Sequence, residues 1–410
     1  MDSPTPVDLR PATADDWESI SRLLNLVFHD GSGEDMEGAV WEPDRGIVAV
    51  DGNGVVGHAA AYSREITVPG AILPAAHVTL VGVAPTHRRR GLLTAMMRRQ
   101  LGEIAEARRE PIAVLWASEP KIYPRYGYGM AAQRLFADAM PRELTVTARI
   151  PDEPAGRLRV AGPADAVAEL SKVYEQLRPE RTGWSSRDDR WWRFMLADPK
   201  SHRGGATELH AVVHETPQGP TGYALWRSRY SWGRHGPDAS ARVVEVIGTD
   251  PAAYAALWRF LLSLDLVSST AVADLALDDP LLHLVDEPRR LGLEIRDAFY
   301  LRVVDVPAAL SARRYATPID VVLDVTDPIL PANTGRWRLT GGPDAASCVP
   351  ATGPADLACT VVELGAAYLG GPTLNALAEA GRVRELTPGA VGRASAAFGW
   401  HRQPHPRGTF

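Results

Sequence analysis

The run Val78–Gln100, VTLVGVAPTHRRRGLLTAMMRRQ, constrains this chain more than any other stretch. Val78–Val83 alternates as a strand does, and the chain then turns at Ala84-Pro85. After His87-Arg88-Arg89-Arg90-Gly91, the apolar residues of Leu92–Met97 fall at helical spacing. A strand feeding a basic, glycine-ended turn that opens a helix is a pyrophosphate site by construction. Successive backbone N–H groups point at the anion, the helix dipole adds to them, and arginines supply charge-assisted contacts.

The flanking sequence reads as a mixed α and β unit. Val7–Arg10 is a strand pattern, and Ala14-Asp15-Asp16 precedes a helix with Trp17, Ile20, Leu23, Leu24 and Val27 on one face. Gly46–Val50 and Val55–Tyr62 are strands joined by Asp51-Gly52-Asn53-Gly54, a strong hairpin turn. A third strand pattern, Arg64–Val68, leads through Pro69-Gly70 to the central run. Pro111–Trp116 is a buried-strand pattern.

Arg88-x-x-Gly91 after Val81-Gly82-Val83 resembles the coenzyme A signature of the GCN5-related N-acetyltransferases. The string Val83-Ala-Pro-Thr-His-Arg-Arg-Arg-Gly-Leu-Leu is similar to that of one branch, the enhanced intracellular survival (Eis) family of aminoglycoside acetyltransferases. Leu93 departs from the small residue that usually ends the signature. The order β-α-β-β-β-α-β matches this fold rather than a doubly wound nucleotide fold. The resemblance implies acetyl-CoA as co-substrate, held by Val81, Val83, His87, Arg88, Arg89, Gly91 and Leu92, with no metal.

Acetyl transfer to an amine needs a polarised thioester carbonyl, a neutral amine and a proton for the departing thiolate. A backbone N–H within Leu80–Val83 can serve the first need, and backbone groups there would hold the pantetheine arm as an added half-strand. For the acid, the family places a tyrosine four residues before a glycine and five before an aromatic. Tyr123, with Gly127 and Tyr128, fits that spacing, with Tyr126 and Tyr128 as competitors. By resemblance the base is the chain's own terminal carboxylate behind an aromatic, which makes it Phe410. A polycationic substrate calls for carboxylates and aromatics, offered by Phe28, Asp30, Glu34, Asp35, Glu37, Trp41 and Glu119.

The pattern repeats. Gly57-His58-Ala59-x-x-x-Ser63-Arg64 returns as Gly222-Tyr223-Ala224-x-x-x-Ser228-Arg229. Gly82-Val83-Ala84-Pro85 returns as Gly248-Thr249-Asp250-Pro251, and Tyr126-Gly127-Tyr128 as Leu291-Gly292-Leu293, all at an offset of roughly 165. Where the first copy has Arg88, Arg89 and Gly91, the second has Tyr254, Ala255 and Leu257, so only the first is expected to bind coenzyme A. From about Leu301 the texture changes. Ile319–Leu339 is a hairpin pair, LACTVVEL is strand-like and AAYLGGPTLNALAEAG reads as short helices. This segment resembles the sterol-carrier-protein-like domain of the Eis family, read as structural and as delivering the chain end. The expected architecture is α+β: tandem acetyltransferase-like mixed-sheet domains over 1–150 and 151–300, the second degenerate, then a sterol-carrier-protein-like α/β domain over 301–410.

Composition narrows the rest. Its 410 residues exceed one hydrophobic core, and 45% hydrophobic with 23% charged residues is globular. A net charge of −6 disfavours nonspecific nucleic-acid binding. Cys348 and Cys359, without flanking ligands, read as reduced and structural. His210 and His214 have a metal-like spacing, but Glu208–Glu215 alternates as a strand. Trp184, Trp191 and Trp192 read as buried by an amphipathic helix rather than as stacking platforms for bases. Without a leader or an apolar run near ~18 residues, the protein reads as cytoplasmic, with no membrane or nucleic-acid partner. A homo-oligomer is expected, a hexamer by resemblance. Protein lysine or polyamine acetylation, noncatalytic acyl-CoA binding and lipid carriage remain as alternatives.

Overall fold

In the computed structural model, which describes residues 6–29, 36–147 and 156–410, the chain enters through β1 (Asp8–Pro11) and α1 (Trp17–Phe28). Asp16 ends the approach to the helix. Its carboxylate accepts from the Thr13 N–H and hydroxyl and from Arg10 at 2.6–2.9 Å, which holds that carboxyl well below its usual range, the Arg10 hydrogen bond foremost. Ile20, Leu23 and Leu24 are the buried face of α1.

β2 (Gly46–Asp51) and β3 (Gly54–Val68) form the expected hairpin. Asn53 N–H donates to Asp51 Oδ1 at 2.8 Å, and Gly54 takes φ +133°. The separate strand expected at Arg64–Val68 is a correction. It is the second half of β3, because β4 (Ala71–Val83) pairs along it from Val68 back to Gly57. α2 (Leu92–Ala107), β5 (Ile112–Trp116) and the short β6 (Gly129–Met130) follow.

The first sheet runs β1-β2-β3-β4-β5, then Phe299–Val303, then β6. A strand from the end of the second repeat therefore completes the sheet of the first. Gln133–Ala139, at the end of the first repeat, lies in the other seven-stranded sheet, between Glu294–Asp297 and Val267–Leu275. Contacts accordingly divide the chain into one unit of 1–132, 182–185 and 298–410, and another of 133–181 and 186–297. The expected boundary between residues 150 and 151 lies outside the described residues.

The first unit also contains a five-stranded sheet ordered Ala346–Pro350, Gly335–Gly341, Ile319–Thr326, Leu357–Thr360, Arg384–Glu385. Its core is continuous with the first sheet: Ile66, Val68, Ala75, Ile112 and Val114 pack in one cluster with Val321, Leu323, Leu339 and Phe398. LACTVVEL is only half a strand. Thr360 and Glu363 form a reciprocal capping box, and a helix starts at Val361. Arg302 and Asp327, both fully buried, pair at 2.6 Å, while Asn333 and the N–H groups of Ile329 and Leu330 take further lone pairs of Asp327. Cys348 and Cys359 are unbridged and buried, which pushes each thiol up to about 12.

In the second unit His210 and His214 lie on the strand His210–Thr216, and His214 Nδ1 is 2.6 Å from Thr221 Oγ1. Trp191 and Trp192 are buried on the helix Asp189–Leu196. Trp184 belongs instead to the four residues that lie in the first unit. Among the described residues no helix is long and apolar enough to cross a membrane.

Candidate active site

The first sheet opens beside β4. β4 and β5 pair in parallel only at Ala75↔Ile112, Ala76↔Ala113 and His77↔Val114, whereas β4 keeps β3 on its other side as far as Val83↔Gly57. Beyond His77 the edge of β4 facing β5 is therefore unpaired, and its N–H and C=O groups are free to receive an extended ligand. A bulge sharpens this opening. His58 pairs with Gly82 but Ala60 with Thr79, and Leu80 is held at φ +52°. The Leu80 carbonyl lies 2.8 Å from His58 Nδ1. A carbonyl only accepts, so Nδ1 carries the proton and Nε2, which is buried, has no hydrogen-bond partner. Burial lowers the His58 pKa to about 4, against smaller opposing effects of the Leu80 carbonyl and Asp16.

Past β4 the basic turn takes the predicted form. Pro85–His87 is a single 3-10 turn, Arg88 is extended, Arg89 has φ +60° and Gly91 has φ +81° as the residue before α2. No side chain caps that helix, and a Cβ on Gly91 would have nothing within 4 Å. Open space before uncapped N–H donors, flanked by exposed Arg88 and Arg89, fits a diphosphate. His87 is engaged elsewhere: its Nε2 is 3.3 Å from Asp51 Oδ2 and its Nδ1 is 2.9 Å from Thr86 Oγ1, which ties the turn to the β2–β3 hairpin. Val81, Val83 and Leu92 are half-buried.

Tyr123 opens the 3-10 turn Tyr123–Tyr126, closed by Gly127 at φ +87°. A Cβ at Gly127 would fall 2.6 Å from Arg302 Nε, so the turn lies directly on that buried guanidinium. Tyr123 is 9% exposed and packs in one core with Val78, Met97, Leu115 and Tyr300. Burial pushes its hydroxyl up to about 12, with Glu119 and Tyr126 adding to the rise. The competitors are less accessible: the Tyr126 hydroxyl is 3.1 Å from Thr94 Oγ1 on α2, and Tyr128 is fully buried with its hydroxyl unpartnered.

The chain end arrives from the other core. The Phe410 ring meets His77 at 4.7 Å, Phe299 at 5.7 Å and Tyr62 at 6.4 Å, edge-on in each case. His77 is the last β4 residue paired with β5, while Tyr123 packs with Val78 and Leu115 just beyond. The two sequence-predicted catalytic residues thus flank the point where the strands part. The predicted substrate residues are not gathered as closely. Phe28 is 47% exposed at the end of α1, and Glu119 is exposed beside Tyr123. Trp41 is buried against Trp17 at 4.7 Å, with its Nε1 unpartnered. Asp30, Glu34 and Asp35 lie outside the described residues. Sequence reasoning used His58 only as a marker of the repeat and passed over His77 and Arg302. A histidine inside an otherwise apolar strand was the available signal for the first two.

The corresponding turn of the second repeat is built differently. Asp250 caps the helix Pro251–Leu262, its carboxylate accepting from the Ala253 N–H at 2.9 Å. The Tyr254 hydroxyl donates to Asp279 at 2.6 Å. In place of His58 stands Tyr223, whose hydroxyl donates to Glu245 at 2.6 Å. Glu245 is itself paired with buried Arg187, which stacks on Tyr174. At the start of the helix, then, the Asp250 carboxylate already takes the N–H donors that stand uncapped in the first copy.

The chain matches the acetyltransferase (GNAT) domain over residues 8–131, a second acetyltransferase (GNAT) domain over 183–303 and the sterol carrier protein domain over 306–406. It is 46% identical over 396 residues to an uncharacterised N-acetyltransferase of Streptomyces avermitilis, covering 95% of this chain and 96% of that one. It is 35% identical to the N-acetyltransferase Eis of Mycobacterium tuberculosis, covering 96% of each chain. Among solved structures it resembles Eis1 of Mycobacterium abscessus, with a TM-score of 0.83, 33% identity, and 99% of this chain and 100% of that one covered.

Proposed function

The chain belongs to the Eis-like GCN5-related N-acetyltransferases, acetyl-CoA-dependent enzymes, and from that premise we propose that it acetylates an amine of an aminoglycoside-type polycation. Transfer is direct, at the parting of β4 and β5. The observation that carries this reading is the flanking of that point by Tyr123 on one side and Phe410 on the other. Acetyl-CoA supplies the activated acyl group. Gly91, Leu92, Arg88 and Arg89 hold its diphosphate, and the free edge of β4 from Val81 to Val83 holds the pantetheine arm.

An N–H at the Leu80–Val81 bulge faces the thioester carbonyl and stabilises the negative charge that develops there. The Phe410 carboxylate takes the proton of the attacking amine. Tyr123, with a pKa of about 12 and so protonated throughout the neutral range, gives its proton to the departing thiolate. Glu119, the acidic residues Asp30, Glu34, Asp35 and Glu37, and Phe28 provide the charge and the aromatic surface that a polycation needs. By resemblance the working form is a cytoplasmic homo-oligomer. Sedimentation of the purified protein tests that state.

Thioester consumption across a panel of aminoglycosides, polyamines and lysine peptides tests the substrate class. Aminoglycosides are expected to be turned over at the highest kcat/KM. A higher value for polyamines or peptides would overturn that choice. A C-terminal tag, which amidates Phe410, is expected to abolish turnover that an equal N-terminal tag leaves intact. Equal activity would remove Phe410 from the mechanism.

A further inference from the structure

Four residues of the middle of the chain, Thr182–Ser185, lie in the first unit although both their neighbours in sequence lie in the second. They are bound on two sides. On one side Gly183 N–H donates to the Thr67 carbonyl at 2.8 Å, Thr67 N–H to the Trp184 carbonyl at 2.9 Å, and Ser185 bridges to Ile66, so the segment extends the end of β3. On the other side His405 N–H donates to the Thr182 carbonyl at 2.9 Å, and the Arg407 guanidinium lies 5.3 Å from the Trp184 ring.

The approach is close. Gly183 has φ +96°, and a Cβ there would sit 2.9 Å from Pro406 N and 3.1 Å from the His405 carbonyl carbon. Backbone touching backbone at this range leaves room for glycine alone. The segment also reaches the chain end through His77. The Ala75 carbonyl, at 3.0 Å, requires the proton on His77 Nδ1. Nε2 therefore accepts from the Ser185 hydroxyl at 2.7 Å, and this fixes the ring against Phe410.

We propose that Gly183, Trp184, Ser185 and His77 form a seat for the C-terminal tail and act as positioning residues for Phe410. The seat deepens the preceding reading, since its effect on turnover rests on Phe410 being the base. It also gives the second repeat, which lacks a diphosphate turn, a part in the chemistry. That repeat's sequence supplies the strip on which the tail is laid. A terminus has no following residue to restrain it and frays unless tied down. Its carboxylate is only as well placed as the residues behind it.

The test uses the untagged full-length protein and three readouts: release of Phe410 by carboxypeptidase, the acetyl-CoA Kd and kcat. In Gly183→Ala the Cβ must push the tail away, and about a tenfold faster release is expected from strain of this kind. Ser185→Ala, which removes only the hydroxyl, is expected to speed release severalfold and decides the matter if Gly183→Ala does not fold. Release faster than wild type with an unchanged acetyl-CoA Kd upholds the seat. Unchanged release in the folded variants overturns it, as does faster release accompanied by a weakened Kd, which signals general loosening. The companion reading is separated by kcat. If release quickens and kcat holds, the seat stands and Phe410 is not the base. If kcat falls, deleting Phe410 must lower it at least as far, and adding Gly183→Ala to that shortened chain must have no further effect.

Discussion

The two repeats begin their second helices in opposite ways. In the first, Gly91 precedes α2 with no side-chain cap, and exposed arginines stand at the opening. In the second, Asp250 has closed the same opening with its own carboxylate, and Pro251 follows in the first turn. A helix N-terminus has N–H groups that must be satisfied by something. The first copy leaves them without a side-chain cap, and the second satisfies them internally at a gain in stability. The same trade recurs inside the strands. His58 secures a bulge in the first copy, while Tyr223 at that place joins a buried Arg187–Glu245 pair. Positions that stand open in the first copy are thus engaged in structural contacts in the second.

Four measurements test this difference between the copies. Tyr123→Phe should lower kcat by about a hundredfold or more, the scale of a lost general acid, without changing the acetyl-CoA Kd. An unchanged kcat would take the chemistry out of the first copy's tyrosine turn. Arg88→Ala with Arg89→Ala should weaken acetyl-CoA by about tenfold to a hundredfold, as charge-assisted contacts are worth roughly 1.5–3 kcal/mol each when fully made. In the same binding titrations the wild-type protein should take up a single equivalent per chain. A second equivalent would mean that the Asp250 turn also binds.

The third measurement concerns pH. The folded pKa of His58, about 4, lies below its ordinary 6.5. The stability it contributes is full above pH 6.5 and is lost as pH falls toward 4, because the unfolded chain takes up the proton first. By pH 5 the loss should be about 2 kcal/mol. His58→Asn, whose amide nitrogen falls near Nδ1 and so keeps a donor for the Leu80 carbonyl but does not titrate, should flatten that acid limb in denaturant titrations. An identical limb would show that His58 is not the group responsible. The smallest effect is expected from Asp250→Ala, which should cost about 1 kcal/mol of stability as a lost helix cap. It should leave kcat and the acetyl-CoA Kd untouched. A change in either would give the second turn a role in binding.

The features legible in the sequence were local ones. The Asp51–Gly54 turn, the α1 face and the Arg88–Gly91 signature each depend on residues a few positions apart, and the repeat shows itself by matching such local signals. What escaped was pairing at a distance. Nothing within Arg64–Val68 says that it continues β3, since that depends on how far β4 runs alongside. Nothing in LACTVVEL says where strand gives way to helix until Thr360 and Glu363 are seen closing on one another. Of the candidate site, the basic turn before α2 and the tyrosine spacing could be read directly. The contact of Phe410 with His77, and the strip at Thr182–Ser185 beneath the tail, join segments over a hundred residues apart and leave no periodic trace.

The exchange of strands between the repeats bears on how the polypeptide is made. While the ribosome is still translating the second repeat, β5 and β6 have been synthesised but Phe299–Val303, which lies between them, has not. The amino-terminal sheet must therefore wait, with an apolar flank uncovered, until more than half of the message beyond it has been read. Pairings this remote are slow to close and leave sticky intermediates. Overexpression at low temperature, or with trigger-type chaperones in excess, should accordingly improve recovery of this protein more than that of an acetyltransferase whose strands all come from one stretch.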